Sequence, residues 1–247
     1  MIQLVAPAKL TWYLEVTGVR DDGYHLVRSE MISVGLVDHL VLDESADYLR
    51  VVGPSSVPTD ESNLVRRALA LVGRRAGVTL DKQIPTGGGL GGGSSDAAAI
   101  LRWAGGVSAE DAVRLGGDVP FCQVGGRALV EGIGEVVTPL AFEERAVTLF
   151  LTDFEVSTPL VYRAYDELVA SGRRPGGMNH LEAPARVVEP RLGELLDWAR
   201  SEYGAVRVAG SGSTLFVEGH VFETPFGDVT SPVGTVKWCQ TVATPAA

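Results

Sequence analysis

Only two cysteines, Cys122 and Cys239, occur in 247 residues. They lie far apart, so the chain carries neither a disulfide framework nor a cysteine metal cluster, and both are expected as reduced thiols. The four histidines, His25, His39, His180 and His220, show no metal-ligand spacing. No apolar run reaches the ~20 residues that a membrane-spanning helix needs. The opening Met-Ile-Gln-Leu lacks the basic region and cleavage site of a secretory signal, so a cytoplasmic protein without a membrane partner is expected. Positive charge is scarce as well. Lys and Arg number 21 against 31 Asp and Glu, a net charge of −10. A nucleic acid or an anionic bilayer wants a basic face, which this composition does not supply. A bound nucleotide asks only for local positive charge and backbone N–H groups. Nothing in the composition bears on oligomeric state.

Glycine is the opposite case, with 30 in the chain. Gly87, Gly88, Gly89, Gly91, Gly92 and Gly93 surround the single apolar residue Leu90. Ser94, Ser95 and Asp96 follow, and then an apolar stretch over 97–103 that should be helix. Glycine reaches backbone conformations closed to other residues and lets a large anion approach the main chain. Ser94 and Ser95 are suitable helix caps. A glycine loop opening a helix presents unpaired N–H groups and a positive dipole end, and both favour phosphate. A flexible linker would stay polar and continue into polar sequence. This run contains a leucine and enters an apolar helix. It is not a Walker A loop, because no Gly-Lys-Ser/Thr closes it. A dinucleotide fingerprint needs a strand directly before the loop, and Pro85 and Thr86 intervene here.

Alternation and turn punctuation predict strands over 2–5, 10–16, 29–36, 40–42 and 49–52. Helical spacing over 63–75 ends at Gly77, and 78–84 reads as a strand delivering the chain to the loop. A short helix at 108–115 precedes Gly116-Gly117-Asp118-Val119-Pro120-Phe121. The pattern restarts near residue 145, with a strand over 146–151 and amphipathic helices over 158–170 and 192–203. Short strands at 206–209 and 215–217 flank Gly210-Ser211-Gly212, and a last strand covers 235–242. The expectation is α+β, with two lobes divided as 1–145 and 146–247.

Some single residues stand out. Lys9, in Ala6-Pro7-Ala8-Lys9, sits in an otherwise apolar strand; it reads either as an edge-strand lysine or as a cation for a phosphate or hydroxyl. Asp118 reads as a turn residue or, if paired with a lysine, as a general base. Gly210-Ser211-Gly212 reads as a tight loop or as a second closure over phosphates. In Arg20-Asp21-Asp22-Gly23-Tyr24-His25, the aromatics are incidental to a hairpin turn or stack on a base. Phosphoryl transfer from ATP needs the phosphates held, their charge offset and the acceptor hydroxyl oriented and deprotonated. The glycine loop, Lys9 and Asp118 supply a group for each need.

Taken in order, Pro-Ala-Lys, Asp-Gly-Tyr-His, Ile84-Pro85-Thr86 with the glycine loop and Ser-Ser-Asp-Ala-Ala, Gly-Asp-Val-Pro-Phe and Gly-Ser-Gly resemble the GHMP kinases. The Asp-Gly-Tyr-His segment is similar to members that phosphorylate a cytidine-diphosphate alcohol. The resemblance implies a ribosomal-protein-S5-like lobe followed by a trimmed ferredoxin-like lobe. It implies Lys9 and Asp118 as the catalytic pair, with Asp118 taking the proton from the substrate 2-hydroxyl and Lys9 orienting that hydroxyl. ATP is the implied cofactor, held by Pro85, Gly87, Gly88, Gly89, Leu90, Gly91, Gly92, Gly93, Ser94, Ser95 and Asp96, with Asn63 and Lys82 near the adenosine. Mg²⁺ is expected with ATP, and Ser95 is its first candidate ligand. Tyr24 and His25 match the cytidine site, Tyr162 its second aromatic face, and Thr11, Gly210, Ser211 and Gly212 further substrate contacts. Thr11 stands where the family has Asn. Residues 218–234 show no helical period where the family has a long helix. Two other readings are a different small-molecule GHMP kinase, of homoserine or mevalonate type, and a non-catalytic nucleotide-binding protein on the same scaffold.

Overall fold

A computed structural model describes residues 1–54 and 57–246. The four strands expected over 2–42 form two long ones, β1 (Ile2–Val19) and β2 (His25–Asp43), paired antiparallel. Their register shifts at Pro7/Ala8, Thr11/Tyr13 and Val16/Gly18. Each irregularity breaks the two-residue alternation, which is why the sequence read as separate pieces. Two of the shifts flank Lys9 and Thr11. On this strand Ala8, Leu10 and Trp12 enter the core, and Lys9 and Thr11, alternating with them, fall on the other face.

β3 (Tyr48–Val52) runs parallel to β4 (Gly77–Asp81), and α1 (Leu64–Leu71) lies in the connection between them. α1 is capped by Asn63 and stops earlier than expected. Gly73 takes φ +62, and the Arg74 N–H reaches back to the Leu69 carbonyl. That left-handed closure ends the helix at Leu71, six residues before Gly77. After the glycine loop comes α2 (Gly92–Trp103), whose Ala97–Leu101 stretch is buried throughout. α3 (Ala109–Ala112) is short, and α4 (Val119–Val124) and the strands β5 (Arg127–Gly132) and β6 (Val136–Pro139) were not expected.

The second half contains β7 (Ala146–Leu151), α5 (Thr158–Ala170), α6 (Glu182–Val188), α7 (Pro190–Tyr203), β8 (Arg207–Val208), β9 (Leu215–Glu218), β10 (Phe226–Ser231) and β11 (Gly234–Thr244). The helix-free stretch after β9 becomes the β10–β11 hairpin, seated by Phe222 stacked on Trp238 at 4.0 Å. The strands run in the order β3-β4-β2-β11-β7-β9-β8. β11 pairs with both β7 and β2, so the chain's last strand returns to the first half. One core cluster lies around α1 and α2, another beneath α5–α7, and a third joins Leu10, Ile32 and Leu90 to Val147, Leu149 and Phe216. The two halves therefore share a core, and the site described next lies at their seam. Among the described residues, no helix is long and apolar enough to cross a membrane.

Candidate active site

The glycine run forms the wall of a cavity of about 380 Å³, together with Asn63, Lys82, Pro85, Ser94 and Asp96. The helix cap is Gly91 at φ +66, not Ser94 or Ser95, and no side chain bonds the helix end. First-turn N–H groups without a side-chain acceptor suit an anion. Gly89 and Gly91 have no substitute. A Cβ on Gly89 would lie 2.5 Å from the Ala209 carbonyl oxygen, and one on Gly91 would lie 2.7 Å from Lys9 Cγ. Ser95 departs from expectation. It is fully buried inside α2, and its hydroxyl donates to the Pro7 carbonyl at 2.6 Å. The cap moved upstream, so the Ser95 hydroxyl is turned to β1, and Ser94 rather than Ser95 lines the cavity.

Lys82 is also spent locally. Its buried ammonium donates to Asp38 and, at 2.8 Å, to Asp96. Asp38 additionally accepts from the Ile84 N–H at 2.8 Å, fixing the approach to the loop. Burial pushes the Asp96 carboxyl up to about 7; Lys82 opposes this and the Asp38 charge adds to it. Asp96 Oδ1 is buried without a hydrogen-bond partner. Asn63 accepts from the Val65 N–H at 2.8 Å and donates to the Pro58 carbonyl at 2.7 Å, so capping occupies its amide.

A larger cavity of about 700 Å³ adjoins the first, and Gly89 and Ser94 line both. In the larger cavity, beside Gly91 of the smaller one, Lys9 Nζ is 3.2 Å from Asp118 Oδ2 and donates to Thr11 Oγ1 at 3.2 Å. Lys9 is nearly buried, whereas the Asp118 side chain keeps 30% of its surface. Asp118 is the N-cap residue of α4, yet its carboxylate makes no capping bond and is free to meet Lys9. Gly116-Gly117 brings it there by packing under Ile133 and Gly134, close enough that a Cβ on Gly117 would lie 2.8 Å from the Ile133 carbonyl.

The far end of the larger cavity is aromatic. Tyr24 sits in the β1–β2 turn, 61% exposed, with the Arg20 guanidinium 5.5 Å from its ring centre. His25 stacks on Tyr162 at 4.6 Å and meets Tyr165 edge-on at 5.9 Å. Tyr162, expected as the second aromatic face of the base site, lies against His25 here. Burial, and then the Asp118 charge, push the Tyr162 hydroxyl up to about 12. Across the cavity, Asn179 props Gly210 by donating to the Val208 and Gly210 carbonyls at 3.0 and 2.7 Å, and Ser211 bonds Thr158 at 2.7 Å, whereas a Cβ on Gly212 would meet Leu192 and Val208 in the core rather than the cavity.

Asp38, Thr158, Asp166 and Asn179 escaped the sequence reading. Only Asp166 left a signal: it lies four residues after Tyr162 on α5, one helical turn along the same face. Among the described residues no group of three or more His, Cys, Asp or Glu is placed to hold a metal. Mg²⁺ on nucleotide phosphates keeps mostly phosphate and water ligands, so one protein oxygen suffices. The unpartnered Asp96 Oδ1, on a residue lining the smaller cavity, fits that need.

Two family models match the chain: GHMP kinases N terminal domain over residues 63–126 and GHMP kinases C terminal over 163–220. The 4-diphosphocytidyl-2-C-methyl-D-erythritol kinase of Methylibium petroleiphilum is 35% identical, covering 89% of this chain and 85% of its own. That of Dinoroseobacter shibae is 36% identical with the same coverage. A crystal structure of 4-(cytidine 5'-diphospho)-2C-methyl-D-erythritol kinase superposes with a TM-score of 0.72 at 32% identity, covering 98% of this chain and all of that one. L. major mevalonate kinase, at 14% identity and a TM-score of 0.62, shares the fold.

Proposed function

This chain belongs to the GHMP kinases, within the family of 4-diphosphocytidyl-2-C-methyl-D-erythritol kinases, and we propose that it phosphorylates the 2-hydroxyl of that cytidyl alcohol with ATP, in isoprenoid precursor synthesis. The observation that carries this reading is two adjoining cavities, one walled by a glycine loop and one ending in aromatic rings, with the Lys9–Asp118 pair lining the second beside Gly91 of the first.

Each group then has a task. The loop N–H groups and the α2 dipole hold the ATP phosphates. Asp118 accepts the proton of the attacking hydroxyl, and Lys9 and Thr11 orient it. Bound Mg²⁺ would offset phosphate charge, with the unpartnered Asp96 Oδ1 as its candidate protein ligand. Tyr24, His25 and Tyr162 hold the base, and Gly210 and Ser211 close over the substrate from the second half. Because Lys82 and Asn63 are already paired, their part in the adenosine pocket is to shape its wall rather than to reach far into it. The lobe boundary at 145/146 belongs to this reading, as does a cytoplasmic location, where ATP is supplied. Neither a nucleic acid nor a membrane is needed as a partner.

ADP release is the test. With Mg-ATP, release should depend on the cytidyl alcohol and be absent with homoserine or mevalonate. Release with either of those acceptors instead would favour another small-molecule GHMP kinase.

A further inference from the structure

His25 Nε2 lies 2.7 Å from Asp166 Oδ1. The Asp166 side chain is half-exposed, and an ionised carboxylate can only accept. The shared hydrogen therefore sits on Nε2. In the neutral imidazole this leaves Nδ1 a bare acceptor. Among the described residues Nδ1 makes no hydrogen bond and is not one of the buried unpartnered atoms, so it is accessible, on a residue that lines the cavity. Tyr162 against the ring face and Tyr165 at its edge hold the imidazole in that orientation.

We propose that Asp166 is a positioning residue that fixes the His25 tautomer, and so makes the base site accept a 4-aminopyrimidine and refuse a 4-oxopyrimidine. The proposal rests on the reading of this cavity as a cytidine site. A cytosine 4-amino group donates to a bare Nδ1. A uracil O4 in the same place sets one lone pair against another, and both acceptors lose their bond to water. Discrimination of this kind, from a buried polar group left unpaired, is stronger than any that ring shape provides, because the two bases differ little in shape. Without Asp166 the imidazole is free to place its hydrogen on Nδ1, and the refusal of uracil weakens. The arrangement joins the two halves of the chain, since His25 opens β2 and Asp166 lies on α5.

Titration calorimetry with CDP and UDP as probes tests this on the wild type, Asp166→Ala and Asp166→Glu. The wild type should prefer CDP. In Asp166→Ala the CDP-to-UDP affinity ratio should fall about tenfold, with an unchanged melting curve, and Asp166→Glu should recover part of it. A purely structural Asp166 would weaken both nucleotides alike, and an unchanged ratio in Asp166→Ala overturns the proposal. A wild type that binds CDP and UDP equally also overturns it. A wild type that binds neither overturns the cytidine-site reading beneath it, which separates the two failures.

Discussion

The Lys9 ammonium and the Asp118 carboxylate lie 3.2 Å apart on the wall of the larger cavity, one carried by β1 and the other by the turn into α4. Replacing Asp118 with Asn keeps the size of the group and removes the base. We expect kcat to fall by ~10²–10⁴, the range for a lost general base. ATP affinity should change only a few-fold and the melting temperature little. Steady-state kinetics beside ATP binding separate these quantities.

Gly91 should be irreplaceable. Its φ of +66 disfavours a side chain, and an added Cβ would meet Lys9 Cγ at 2.7 Å. Gly91→Ala is expected to lose ~1–3 kcal/mol of stability by backbone strain and to displace Lys9. Gly93→Ala is the control for stability. Gly93 is helical, and its Cβ would meet Leu64 Cδ1 at an ordinary 3.5 Å. Denaturant unfolding should show it neutral or slightly stabilised.

Asp96 gives a pH signature. Its carboxyl is pushed from 3.8 up to about 7 by burial. The folded state therefore holds a proton that the unfolded state has released between those values, and stability falls as pH rises through that window. Asp96→Asn mimics the protonated form. It should match the wild type near pH 4 and exceed it above pH 7, by up to a few kcal/mol. Thermal unfolding across pH 4–8 checks this; a difference independent of pH would contradict it.

Asn179 ties the second half to the site. Asn179→Ala would leave the Val208 and Gly210 carbonyls without their donor and the Leu181 N–H without its acceptor. A loss of roughly 2–4 kcal/mol is expected for several buried groups left unpaired. A higher KM for the acceptor should accompany it, with KM for ATP less affected. Melting and substrate titrations read the two effects separately.

Much of this site was legible in the sequence, because it rests on residues whose chemistry is unusual for their setting. A lysine in an apolar strand, a carboxylate after paired glycines and a glycine run opening an alanine helix each pointed to the place they occupy. The cap of α2 was misplaced because Ser94 and Ser95 look like caps locally. Gly91 ends the loop earlier in a conformation only its lack of Cβ permits, and the serines are carried into the helix. The long strands were divided because bulges interrupt alternation. Asp38 and Asn179 were missed for a different reason: their partners lie 44 and 31 residues away, at Lys82 and Gly210, and no local pattern marks such pairings; Asp166 has its turn-spaced neighbour Tyr162 as a signal, but its partner His25 lies 141 residues away.

The most direct test is ³¹P NMR of the protein with Mg-ATP and 4-diphosphocytidyl-2-C-methyl-D-erythritol, alongside Asp118→Asn. The account predicts ADP and one new phosphomonoester resonance on the 2-oxygen with the wild type, and neither with a folded, ATP-binding Asp118→Asn. Bound ATP with no new resonance from the wild type, or equal turnover by Asp118→Asn, would contradict it.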